Sequence, residues 1–182
     1  MKLYQFLANG FEECEALATV DICRRAGIDV TVVSVTGDTV VESAHKVGIV
    51  ADVLFEQCDF TDADVLMLPG GMPGATNLLA HNGLCNVLLS HFRSGKLLAA
   101  ICAAPLVLGN LGLLEGLRAT CYPGFEGELL GAIPTGALVE QDGQMITGKG
   151  PGAAYELGFA IVERMCGKSL ADTLRKGMIC NG

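Results

Sequence analysis

Apolar residues in this chain fall into short runs punctuated by sharp turn signals, a pattern of alternating strands and helices. Lys2 to Ala8 reads as a buried strand closed by Asn9-Gly10, and a helix is predicted from about Phe11 to Ala26, where Gly27 stops it. Asp29 to Val35 is β-branched and reads as a second strand; Val47 to Val53 and Asp64 to Leu68 follow as further strands. The last of these runs into Pro69-Gly70-Gly71-Met72-Pro73-Gly74. A helix is expected from about Thr76 to Ser94, broken near Asn82-Gly83. A strand then enters Cys102, and a new helix opens after Pro105. Arg118 to Cys121 is short and strand-like, Ala137 to Thr147 carries the hairpin signal Asp142-Gly143, and Ala153 to Met165 is the last long helix. Strands alternating with helices predict one α/β domain over residues 1–182 with a doubly wound, mostly parallel sheet.

Leu97 to Leu114 is nearly uncharged and close to bilayer-spanning length, but Pro105, Gly109, Asn110 and Gly112 interrupt it. A strand, a turn and a short helix account for it better than a membrane span. The amino-terminal residues have no basic segment followed by a long apolar core, so a cytoplasmic protein without a membrane partner is expected. The chain is 51% hydrophobic with 24 glycines and no tryptophan, which suits a parallel sheet filled by small and aliphatic side chains. A net charge of -8 argues against a nucleic-acid partner. The eight cysteines are scattered singly, without a CxxC pair, and the three histidines have no ligand spacing to them. Neither a disulfide framework nor a metal site is expected.

The candidate chemistry centres on Ala100-Ile101-Cys102-Ala103-Ala104-Pro105. A strand that ends at a cysteine and gives way to a helix lifts the thiol out of the sheet and sets it at a helix N-terminus, where a thiolate is favoured. Ligand sites in such folds lie at the carboxyl ends of the strands. Glu12, Glu13 or Glu15, the Gly70-Gly71 backbone and Cys102 would therefore share one pocket. The Gly71 and Ala103 amides are candidate oxyanion donors, and a glutamate facing the sulfur would sit there protonated and relay a proton. The glycine-rich segments match neither GxGxxG nor a Walker A motif, so no phosphate cofactor is implied.

Taken in order, Leu7-Ala8-Asn9-Gly10-Phe11-Glu12-Glu13-Cys14-Glu15, Arg24-Arg25-Ala26-Gly27, Leu68-Pro69-Gly70-Gly71, Ala100 to Pro105 and Gly150-Pro151-Gly152 resemble the ThiJ/PfpI superfamily, in its Parkinsonism-associated deglycase branch with small bacterial relatives. The resemblance implies a flavodoxin-like, class I glutamine-amidotransferase-like fold and a homodimer. It further implies that Cys102 is the reactive cysteine, Glu15 its protonated partner, and Gly71 and Ala103 the oxyanion-hole amides, with Gly70 lining the pocket. Arg25 and His45 fall where the family places residues near the dimer interface and active site, His45 standing where arginine is common. Tyr122 occupies a position that many relatives give to histidine, which removes the obvious general base. Ala103 directly after the cysteine argues against the peptidase branch, and the absence of a His-x-Glu arrangement argues against a glutamine amidotransferase. The activity implied is a glutathione-independent glyoxalase or deglycase acting on small dicarbonyls or glycated adducts. The alternative is an oxidative-stress sensor or redox-regulated chaperone working through oxidation of Cys102. A reversible disulfide between Cys121 and Cys102 is left open.

Overall fold

The computed structural model describes residues 1–180. The chain begins with β1 (Lys2–Leu7), α1 (Glu13–Arg25) and β2 (Asp29–Ser34), followed by the short strands β3 (Val40–Glu42), β4 (Gly48–Val50) and β5 (Val53–Leu54). Next come β6 (Val65–Leu68), α2 (Gly74–Ala80), α3 (Asn82–Arg93), β7 (Leu97–Ile101) and α4 (Pro105–Asn110). The chain continues through β8 (Arg118–Ala119), β9 (Ile133–Pro134), β10 (Val139–Asp142), β11 (Met145–Gly148), α5 (Ala154–Cys166) and α6 (Lys168–Gly177).

Seven strands form the central sheet in the order β10-β11-β7-β6-β1-β2-β5, all parallel except the edge strand β10. This is the mostly parallel α/β architecture that the alternating pattern predicts. The inner strands read as continuous apolar runs because helices cover both of their faces, and β1, β6 and β7 are buried along nearly their whole length. From β1 the chain crosses to β2, whereas from β6 it crosses the other way to β7. Right-handed crossovers therefore put α1 on one face and α2 with α3 on the other. The α5 helix joins α1, and α4 joins α2. Between β1 and β6 the winding reverses, and the crevice outside their carboxyl ends is where such folds place a site.

Several boundaries differ from the sequence expectation. The helix expected from Phe11 starts at Glu13, because the Glu12 side chain accepts from the Glu15 amide at 2.7 Å and caps it. The single strand expected over Val47 to Val53 is two elements: β4 pairs antiparallel with β3, while β5 joins the main sheet. The helix expected from Thr76 starts at Gly74, and the break expected near Asn82-Gly83 falls one residue earlier, at His81, whose side chain accepts from the Leu84 amide at 3.0 Å. Arg118 to Cys121 contributes only two residues of strand, paired with β9 in a small separate sheet. The last long helix is followed by another, α6, after Gly167 turns the chain at φ +92°. Among the described residues, no helix is long and apolar enough to cross a membrane.

Candidate functional site

Cys102 directly follows β7 and has φ +63°, a conformation that β-carbon-bearing residues adopt at a cost of order 1–3 kcal/mol. Two hydrogen bonds hold it there. Its N–H donates to the Gly148 carbonyl at 2.9 Å, and its carbonyl accepts from the Tyr122 amide at 2.9 Å. The elbow thus hangs between the end of β11 and the segment after β8. The side chain is 8% exposed.

Glu15, in the first turn of α1, is 0% exposed. Its Oε2 accepts from the Gly70 amide at 2.8 Å, and its Oε1 is buried without a hydrogen-bond partner among the described residues. Gly70 lies between the two groups. A β-carbon there would meet Cys102 Cβ at 2.6 Å, Glu15 Oε2 at 2.8 Å and the Ile101 carbonyl at 2.8 Å. The carboxyl and the thiol approach each other across a gap that only glycine leaves open.

The neighbouring loops also meet backbone to backbone. A β-carbon on Gly71 (φ +86°) would lie 2.5 Å from the Glu12 nitrogen, and one on Gly74 would lie 2.6 Å from the Phe11 nitrogen. Gly10 (φ +86°) would strike the Pro73 ring at 2.5 Å. The Glu12 amide donates to the Gly70 carbonyl at 2.9 Å, fastening the β1–α1 turn to the loop after β6.

Burial pushes the Glu15 carboxyl up to about 7, and hydrogen bonding to the Gly70 amide and to Cys102 pulls it back. Burial, followed by the charge of Glu15 and its hydrogen bond, pushes the Cys102 thiol up to about 12. Backbone hydrogen bonding from the Gly71 and Ala103 amides opposes that rise. This corrects the expectation that helix placement alone yields a thiolate. The α4 helix is only six residues long and begins beyond Ala104, while low-dielectric surroundings and a neighbouring carboxylate act directly on the sulfur. The two groups titrate as a pair.

The structure brings Glu15, Gly70, Gly71, Cys102 and Ala103 together. Tyr122 touches the site through its backbone amide; its ring is 46% exposed and packs beside Gly150. Arg25 is not brought to Cys102 within the chain. It lies ten residues beyond Glu15, about 15 Å along α1, and bonds to Asp21 Oδ2 at 2.8 Å. His45 Nδ1 sits 2.9 Å from Glu13 Oε1, so it flanks the acidic turn through Glu13. Glu12, Glu13 and His45 hold ligand-type atoms within 4.8 Å of one another, a grouping that histidine spacing in the sequence did not reveal. Gly148 is the residue that sequence reasoning missed: it anchors the elbow, and the only signal for it was its place at the end of a strand. Cys121 is buried, with its thiol pushed up to about 11 by burial, one residue from the Tyr122 contact to Cys102.

A parallel sheet with a strained cysteine elbow facing a buried glutamate through a glycine loop defines a family, and the model of the DJ-1/PfpI family matches residues 1–164. The chain belongs to that family. Protein DJ-1 homolog B of Arabidopsis thaliana is 43% identical over 170 residues, 91% of this chain and 38% of the plant protein. The chain spans less than half the length of this relative and of homolog A, of which it covers 43%. The glutathione-independent glyoxalase DJR-1.2 of Caenorhabditis elegans is 31% identical over 167 residues, 91% of this chain and 88% of that protein. Among solved structures, oxidized DJ-1 of Toxoplasma gondii superposes with a TM-score of 0.94 at 33% identity, covering 98% of this chain and 97% of that one.

Proposed function

We propose that the chain is a cysteine-dependent, glutathione-independent glyoxalase that acts on methylglyoxal-type dicarbonyls and, by removing free aldehyde, reverses their early adducts. The observation that carries this reading is the fully buried Glu15 carboxyl, held by the Gly70 amide beside Cys102. The Glu15 carboxyl is the ionisable neighbour of the sulfur, so moving one proton from thiol to carboxylate creates a thiolate next to a neutral acid. Sγ then attacks the aldehyde carbon, and the Gly71 and Ala103 amides receive the oxygen as it gains charge. Protonation gives a hemithioacetal. Glu15 next removes the proton from the former aldehyde carbon, giving an enediol, and returns a proton to the adjacent carbon. The product is a lactoyl thioester, which water cleaves to lactate and the free thiol. One methylglyoxal and one water become one lactic acid, and no redox partner is consumed. The name of the Caenorhabditis relative supports the reaction class.

The chain acts in this reading as a cytoplasmic homodimer. The exposed side chains of Leu17 and Tyr155, which line one surface hollow with Glu13, support such a contact. Arg25 and His45 would reach substrate only through that assembly.

The test is enantiomer-resolved lactate production from methylglyoxal in amine-free buffer without glutathione. Wild type is expected to turn over, and Cys102→Ala and Glu15→Gln to lose at least about a hundredfold. Turnover by Cys102→Ala at the wild-type rate sinks the reading.

A second reading is favoured by the oxidized state of the Toxoplasma relative: peroxide converts Cys102 to a sulfinate that protonated Glu15 stabilises. Two equivalents of peroxide supply the two oxygens and leave as water. Mass spectrometry should then find two added oxygens at Cys102 ahead of the other cysteines.

A further inference from the structure

At the amino-terminal edge of the sheet lies a cavity of about 330 Å³, at the small end of the range for ligand pockets. It is walled by the segment before β6, by α3, and by Lys96 at the start of β7. Lys96 and Cys102 are separated by the length of β7, about 20 Å at 3.3 Å per residue. The cavity is therefore independent of the elbow.

Its walls are fixed by packing. Phe60 lies in an aromatic cluster with Tyr4, Phe6 and Phe55, at centroid distances of 5.1, 5.4 and 5.0 Å. The Tyr4 hydroxyl donates to Asp62 at 2.9 Å, which ties the same segment to β1.

The charge arrangement is specific. Lys96 Nζ donates to the Thr61 carbonyl at 2.9 Å and to the Ala63 carbonyl at 2.6 Å. Both are neutral acceptors, so the two bonds hold the ammonium in place without pairing it to a carboxylate and leave a third N–H. His91 donates Nε2–H to the Leu97 carbonyl at 2.9 Å, and burial holds its pKa below the ordinary value, so it adds no second cation at neutral pH. Ser90 contributes a hydroxyl, and Phe60 and Val87 supply an apolar surface. Asp59 also lines the cavity and opposes any ligand with more than one negative charge. We propose that this cavity binds a small monocarboxylate with an apolar body, its carboxylate on Lys96 and its body against Phe60 and Val87.

The test is titration of the full chain with benzoate and, as the neutral isostere, benzamide, followed by calorimetry and by alkylation of Cys58, which lines the cavity. Saturable millimolar binding of benzoate is expected, with benzamide weaker by about tenfold or more. Benzoate should slow alkylation of Cys58. Ser90→Leu, which fills the cavity and leaves Lys96 intact, should abolish binding, Lys96→Met should weaken it about tenfold, and Cys102→Ala should leave it unchanged. Equal affinity for benzamide, full binding by Ser90→Leu, loss of binding in Cys102→Ala, or no saturation up to about 20 mM each overturns the proposal. Should Lys96→Met fail to fold for want of its two carbonyl bonds, Ser90→Leu with the benzamide comparison decides.

Discussion

Replacing Glu15 by glutamine tests whether a titrating carboxyl is buried beside Cys102. In the unfolded chain this carboxyl ionises near 4.5, and in the fold burial raises it to about 7. The folded state therefore holds the proton more tightly, and between those two values it binds more protons than the unfolded state. Stability must fall as pH rises through that window and level off above it. The difference of about 2.5 pH units corresponds to roughly 3 kcal/mol lost between pH 4 and pH 8. Glutamine keeps an oxygen for the Gly70 amide and carries no charge, so Glu15→Gln escapes the loss. At pH 8 the variant should be more stable than wild type by about 2–3 kcal/mol, which for a chain of this size is roughly 4–12 °C in melting temperature. At pH 4.5 the two should melt within about 2 °C of each other. Thermal unfolding by circular dichroism across that range reads the effect directly. A constant gap between the two proteins at every pH, or a gap that widens toward acid, refutes the assignment of the raised carboxyl to Glu15.

Gly70→Ala should lower stability by about 1–3 kcal/mol in urea unfolding, and should cut lactate turnover further than that loss explains, because its β-carbon enters the space between Cys102 and Glu15. Tyr122→Phe should keep kcat/KM for methylglyoxal within about threefold of wild type, since the contact to Cys102 is made by the backbone amide. In native protein, iodoacetamide should label exposed Cys14 within minutes and leave fully buried Cys23, whose thiol burial pushes up to about 12, unmodified until unfolding. Peptide mapping by mass spectrometry checks that order.

The inner strands were legible in the sequence because a strand covered on both faces must be apolar throughout, as β1, β6 and β7 are. The turns that end them announce themselves through Asn9-Gly10 and Pro69-Gly70-Gly71. Strands of two or three residues, such as β3, β5 and β9, are too short to display any period, and only pairing with distant partners defines them. The α6 helix was legible as well, since Leu170, Ala171, Leu174 and Met178 recur at helical spacing and pack against the core. At the site, the cysteine and the acidic turn were visible, while their mutual arrangement was not. The hydrogen bond from Gly70 to Glu15 spans 55 residues, and the thiol's raised pKa comes from burial and from that carboxylate, both tertiary facts. His45 finds Glu13 across 32 residues for the same reason.

The glycine seam joining the β1–α1 turn to the loop after β6 has a consequence for anyone wishing to re-engineer this protein. Since main chain rests on main chain at Gly71 and Gly74, and Gly10 lies against Pro73, a randomised library has almost no sequence space to explore there. Diversity spent on those codons returns unfolded clones. Exposed positions such as His45, Tyr122 and Leu138 have side chains free to vary without moving the elbow, so new substrate preferences should be sought at the rim while the seam is left as found.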